Sequence, residues 1–150
     1  MTPTFKELQK DLWRAVAYFQ KVSLTERIPW MGAFPNNSCE VASALLAAAL
    51  QGKYPACMVR QVHAYNPEIS QLHCWVRLDG ITIDPTLQQF EGYESPLLTA
   101  DAHPLQGLFF VTQELQHIEA LGRLALPESF SSELVQRLRE KMHCKVSNFD

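Results

Sequence analysis

The chain has 150 residues, 47% of them hydrophobic, which is enough for one sizeable buried core and makes a single domain the expectation. A formal net charge of -3, with Lys and Arg scattered rather than clustered, excludes the basic field that gathers nucleic acid. The longest apolar run, residues 41–50, is about half of the roughly 20 residues a membrane-spanning helix needs. The N-terminus also lacks a basic stretch followed by an apolar core, so neither a membrane span nor a secretory signal is expected. This favours a cytoplasmic protein, although a domain cut from a secreted or translocated effector would read the same way.

In chain order, Phe5, Leu8, Leu12, Ala15, Val16 and Phe19 recur at helical spacing and predict an amphipathic helix over residues 4–22. A segment rich in proline and aromatic residues, 28–37, then argues for an ordered loop. Asn37 with Glu40 three residues on resembles a capping box, and it predicts a helix over residues 39–50 with Asn37 as its cap. Gly52 is placed to end that helix, and Pro55 prevents it from resuming.

Residues 57–65 carry enough β-branched and aromatic character for a strand, broken by Asn66 and Pro67. Leu72, Cys74, Val76 and Leu78 alternate with His73, Trp75 and Arg77, the pattern of a strand with two distinct faces. Asp79-Gly80 is a two-residue hairpin signal, and residues 81–84 return as the partner strand. The chain then reads as irregular until residues 108–111, a predicted buried strand. Residues 112–121 (Thr112 as cap) and 132–144 are predicted helices.

The chain has four cysteines, Cys39, Cys57, Cys74 and Cys144, with no CxxC pair and no spacing typical of a metal knuckle. Neither a disulfide scaffold nor a metal or other cofactor is expected. Chemistry instead concentrates in an ordered trio, Cys39, His73 and Asp84, the residue types of a nucleophile, a base and an orienting carboxylate. A thiol in the first turn of a helix lies among unpaired N–H groups and the positive end of the dipole, which favour the thiolate and could also face a developing oxyanion.

The Asp79-Gly80 turn pairs Leu78 with Ile81 and, counted outward, Trp75 with Asp84 and His73 with Thr86. His73 and Asp84 become diagonal neighbours on one sheet face, about 7–8 Å apart at the backbone and within side-chain reach. Trp75 shares that face and either shields the imidazole or belongs to the core. Cys74, on the opposite face, reads as packing.

Asn37 is a candidate second oxyanion donor, with Asn36, Gln20 and Gln61 as alternatives. Trp30, Phe34 and Tyr93 are candidate walls of a substrate groove. His63 and His103 are possible second bases, and His117 and His143 read as helix-surface residues.

These residues carry a resemblance. Ser38-Cys39-Glu40, His73-Cys74-Trp75-Val76, Asp79-Gly80 and Ile83-Asp84-Pro85-Thr86 together resemble the transglutaminase-like branch of the papain-like cysteine enzymes. The likeness covers about residues 35–90 within a core of about 28–111. It implies an α+β fold in which the nucleophile-bearing helix packs on a small antiparallel sheet, flanked by N- and C-terminal helices. It further implies Cys39 as nucleophile, His73 as base and then acid, Asp84 as orienter, and a protein or peptide substrate cleaved, deamidated or transferred through a thioester. The chain is far shorter than the large transglutaminases and has no recognisable calcium loop, so calcium dependence is not implied. The alternative is a catalytically inactive papain-like fold serving as a protein-binding, immunity or adaptor module.

Overall fold

A computed structural model describes residues 2–25, 28, 31–124 and 126–143. Trp30 and Cys144 lie outside the described residues. Within them the fold is α+β, with four helices and one five-stranded antiparallel sheet.

Helix α1 (Phe5–Thr25) opens with a capping box: the Glu7 N–H donates to Thr4 Oγ1 at 3.1 Å, and the Thr4 N–H donates to Glu7 Oε1 at 3.0 Å. The box expected at Asn37 and Glu40 does not form. Asn37 is exposed in the left-handed region at φ 57°, and the cap position of α2 (Cys39–Lys53) is Ser38, which makes no side-chain cap bond. A residue at positive φ turns the chain before the helix begins, so its side chain is one position too early to cap.

Helix α2 runs through Gly52 instead of ending there. Its last turn continues because it packs on α4 (Glu128–Met142), whose Arg139 guanidinium lies over Gly52, 2.9 Å from where a Cβ would stand. Every residue of α2 from Val41 to Leu50 is buried. The sheet covers one side, and the other helices cover the rest.

The strands are β1 (Val59–Asn66), β2 (Gln71–Leu78), β3 (Ile81–Asp84), β4 (Leu97–Thr99) and β5 (Phe110–Leu115), in spatial order β4-β3-β2-β1-β5. The hairpin register runs Leu78 to Ile81, Arg77 to Thr82 and Val76 to Ile83, as the two-residue turn requires. Asp79 sits at φ 52° in that turn, and its carboxylate accepts the Met58 N–H at 2.8 Å.

Residues 112–115 are strand rather than helix, and helix α3 spans only His117–Gly122. This edge strand pairs with β1 across a bulge and is mostly exposed, contrary to the buried strand expected at 108–111. Backbone pairing to β1 overrides the helical spacing of Leu115, Ile118 and Leu121. Strand β4 and a 3₁₀ turn, Leu87–Gln89, occupy the stretch read as irregular.

Both faces of β2 are buried over residues 73–76. Val76 and Leu78 join Ile83 and α2 in the main core, whereas Trp75 joins Val62, Ala64, Leu87, Leu105 and Phe109 in a second cluster on the far face. The helices thus cover one face of the sheet, and the segment 86–109 covers the other.

Candidate active site

Strand β3 pairs with β2 only over Val76–Leu78, while β1 pairs with all of Gln71–Leu78. The Gln71–Trp75 half of β2 therefore has one open edge, on the side where β3 ends. Cys39, at the N-terminus of α2, lies near enough to this part of β2 for the Cys74 thiol and N–H and the His73 imidazole all to favour its thiolate. Helix α2 packs on the Cys74 face and His73 projects from the other, so only the open edge lets one sulfur touch both. Cys74 is accordingly a neighbour of the thiol rather than simple packing.

The Cys39 thiol is held low, at about 5, by hydrogen bonding from Cys74 first and then by the hydrogen bond and charge of His73, against the opposing effect of burial. The Cys74 thiol is pushed up by its bond to Cys39 and by burial. Cys39 is the member of the pair that ionises, for a structural reason. It has the imidazole that is held charged, a main-chain donor, a helix N-terminus and partial solvent exposure, whereas Cys74 is fully buried beside His63, whose own value is lowered.

His73 and Asp84 are both fully buried. His73 Nε2 lies 2.7 Å from Asp84 Oδ2, so the imidazole donates there and presents Nδ1 as its other functional atom. Burial alone would lower the His73 value, but the Asp84 carboxylate and then Cys39 raise it to about 9. Burial would likewise raise Asp84, yet the charge of His73 and hydrogen bonds from His103 and His73 bring it to about 2.

Asp84 is saturated with donors. His103 Nε2 meets the same Oδ2 at 2.7 Å, while Oδ1 accepts the Thr86 N–H at 2.9 Å and the Thr86 hydroxyl at 3.3 Å. The Leu105 N–H donates to His103 Nδ1 at 3.1 Å, which places the His103 proton on Nε2. The three side chains His73, Asp84 and His103 are close enough to hold a metal ion. A metal on His103 Nε2 would force the ring proton onto Nδ1, against the Leu105 N–H. The donor set therefore fits a hydrogen-bonded carboxylate between two imidazoles and does not fit a metal centre.

Trp75 is buried, 5.8 Å from the His73 ring and stacked on His103 at 4.1 Å, so it shields the pair and lines no open cleft. Phe90 meets the His73 ring edge-on at 4.8 Å, and Gln89 Nε2 lies 3.2 Å from His73 Nδ1.

A second relay sits on the helix face. Gln61 spends its amide hydrogens on Glu40 O and Ser43 Oγ, so its Oε1 accepts from His63 Nε2 at 2.6 Å, leaving His63 Nδ1, 3.6 Å from Cys74 Sγ, as an acceptor that competes with Cys39 for the single Cys74 thiol hydrogen. Burial first, then Arg123, holds His63 below its ordinary value. His63 is thus a partner of Cys74, and Gln61 is an internal brace rather than an oxyanion donor.

Beside the Cys74–His63 pair on this face the sheet is uncovered. Tyr65 pairs with Leu72 on one side and Phe110 on the other, and these side chains are 39%, 41% and 59% exposed. Two residues along a strand is about 7 Å, so this apolar row lies two extended-residue rises from the Cys74 row. A concavity of about 860 Å³ lies elsewhere, between α2, α3 and α4 near Gln51 and Gly52. That is roughly 14–20 Å along α2 from Cys39, and no reactive cluster converges there.

Sequence reasoning took His63 and His103 only as possible second bases and Cys74 as packing, gave Thr86 and Gln89 no role, and did not foresee that His103 meets Asp84 or that His63 meets Cys74. Thr86 had a local signal, since Asp followed two residues on by a free N–H favours an Asx turn. His103 had none, being 19 residues from Asp84 in an irregular segment. Among the described residues no helix is long and apolar enough to cross a membrane. No family model, curated protein or solved structure matches the chain.

Proposed function

We propose that this chain is a cysteine-dependent amide-bond hydrolase or acyltransferase of papain-like, transglutaminase-like type, acting on a protein or peptide substrate through a thioester on Cys39. One observation carries the reading: a partly exposed thiol at a helix N-terminus is held as thiolate beside an imidazole whose far nitrogen is bound to a buried carboxylate.

In this reading the Cys39 sulfur attacks the substrate carbonyl carbon, and the N–H groups at the start of α2 face the resulting oxyanion. His73 Nδ1 gives its proton to the departing amine nitrogen as the C–N bond breaks, leaving a thioester. Water or a second amine then adds to the thioester and loses its proton to His73 Nδ1, and the C–S bond breaks to return the thiolate. Asp84 holds Nε2–H and balances the imidazolium charge throughout. The exposed row of Leu72, Tyr65 and Phe110 suits an apolar side chain next to the scissile amide.

The test pairs reactivity with turnover. Iodoacetamide should alkylate Cys39 at pH 6 at least ten times faster than Cys57 or Cys74, with a half-maximal rate near pH 5. Peptide amide turnover should follow a bell between about pH 5 and about pH 9, and should vanish in Cys39→Ala. Slow, uniform labelling of all four thiols would favour the protein-binding module instead.

A further inference from the structure

Resting on the reading of Cys39 and His73 as the reacting pair, we propose that Gln89 is a positioning residue that donates to His73 Nδ1 while the imidazole is neutral and must turn away before that nitrogen can take up the proton it later gives to substrate. With Nε2 committed to Asp84, Nδ1 is the sole ring atom through which His73 can work, and Gln89 Nε2 stands 3.2 Å from it.

The amide orientation follows from the neighbouring bonds. Thr86 gives its hydroxyl hydrogen to Asp84 Oδ1, so its oxygen accepts, and Gln89 Nε2 lies 3.5 Å from that oxygen. Turning the amide would set its oxygen against the Thr86 lone pairs. With Nε2 inward, one hydrogen points at Thr86 and the other at the lone pair of a neutral His73. A donor there opposes the imidazolium that the Cys39 thiolate favours.

The His73 site has one movable wall. Trp75, His103 and Phe109 are buried around the ring, whereas Gln89 and Phe90 are half-buried at the end of a single 3₁₀ turn. The amide nitrogen of Gln89 occupies the place that the nitrogen of a departing amine needs in order to receive the proton of Nδ1. Substrate entry and release of His73 thereby become one event.

The charged and titratable groups facing His73 are Asp84 from β3, Cys39 from α2, Cys74 next along β2 and His103 from the segment after β4. None of these changes in a Gln89 variant, so a shift in His73 reports Gln89 itself.

The experiment follows His73 by long-range proton–nitrogen imidazole spectra across a pH titration of the full chain, with the signal assigned through His73→Gln. Gln89→Ala admits water in place of the donor, and the His73 midpoint should rise by about half a unit to one unit. Gln89→Glu replaces the donor with an acceptor and should raise it further. The alkaline limb of turnover should move with the midpoint in both variants, which a merely structural role would not produce. A midpoint unchanged or lowered in either folded variant overturns the assignment. Should His73 shift as expected while no variant and no wild-type protein turns over amide, the Gln89 assignment stands and the proposed reaction falls.

Discussion

Replacing Asp84 by Asn removes a charge that four donors address while leaving the side-chain volume unchanged. Asp84 stands at about 2 in the folded chain against an ordinary 3.8, and a gap of that size corresponds to about 2–3 kcal/mol of stability near neutral pH. The folded value is the lower one, so this contribution is complete above about pH 4 and is lost as pH falls toward 2. Roughly 1 kcal/mol of it is gone by pH 3.

His73, raised to about 9, expresses the same interaction from its partner's side, present below about 6.5 and lost as pH rises through 9. The two contributions are therefore not summed. The Asn amide must also turn its NH₂ toward either the two imidazole N–H groups or Thr86, leaving donors facing a donor at about 1–3 kcal/mol. The expected total is about 3–6 kcal/mol at pH 6, overlapping what breaking one side of a buried pair costs. Urea unfolding of both proteins at pH 6 and pH 3 measures it, and the difference should narrow by about 1 kcal/mol at the lower pH. A variant within 1 kcal/mol of wild type at pH 6, or a difference that does not narrow, would refute the reasoning.

Two further substitutions test the packing that presents Cys39. Gly52→Ala should be neutral or stabilising by up to about 1 kcal/mol, because the clashing group is the movable end of Arg139 and alanine is the better helix former; a loss above 1 kcal/mol in urea unfolding would mean that Arg139 cannot move. Asp11→Ala should cost about 3 kcal/mol, since the buried carboxylate accepts both Lys53 Nζ and Tyr54 Oη at 2.6 Å and joins α1 to the end of α2. Thermal melting at fixed pH would expose a smaller role if the midpoint scarcely moves.

Helix α1, helix α2 and the β2–β3 hairpin were legible because their signals are local. Apolar spacing, an Asp-Gly turn and two-residue alternation each fix backbone geometry within a few residues of themselves. The His73–Asp84 contact followed from the same hairpin counting. The reading of residues 112–121 as helix failed because β5 is held by hydrogen bonds to β1, about 50 residues earlier, and no local spacing reports a partner that distant. Asn37 failed as a cap for a subtler reason, since the loop places it at positive φ and the cap falls one residue later.

The sequence by itself determined which chemical groups are present and which of them a short turn would bring together: a thiol at a helix start, and an imidazole beside a carboxylate. Only the tertiary structure decided that the helix covers the face opposite His73 and that β3 ends early enough to open an edge for Cys39. It likewise decided that His103 and Gln89 arrive from the far segment to complete the surroundings of Asp84 and His73. The physical reason is range: periodicity and turn chemistry act over a handful of residues, whereas these meetings depend on where whole strands stop and on which surfaces must be buried together.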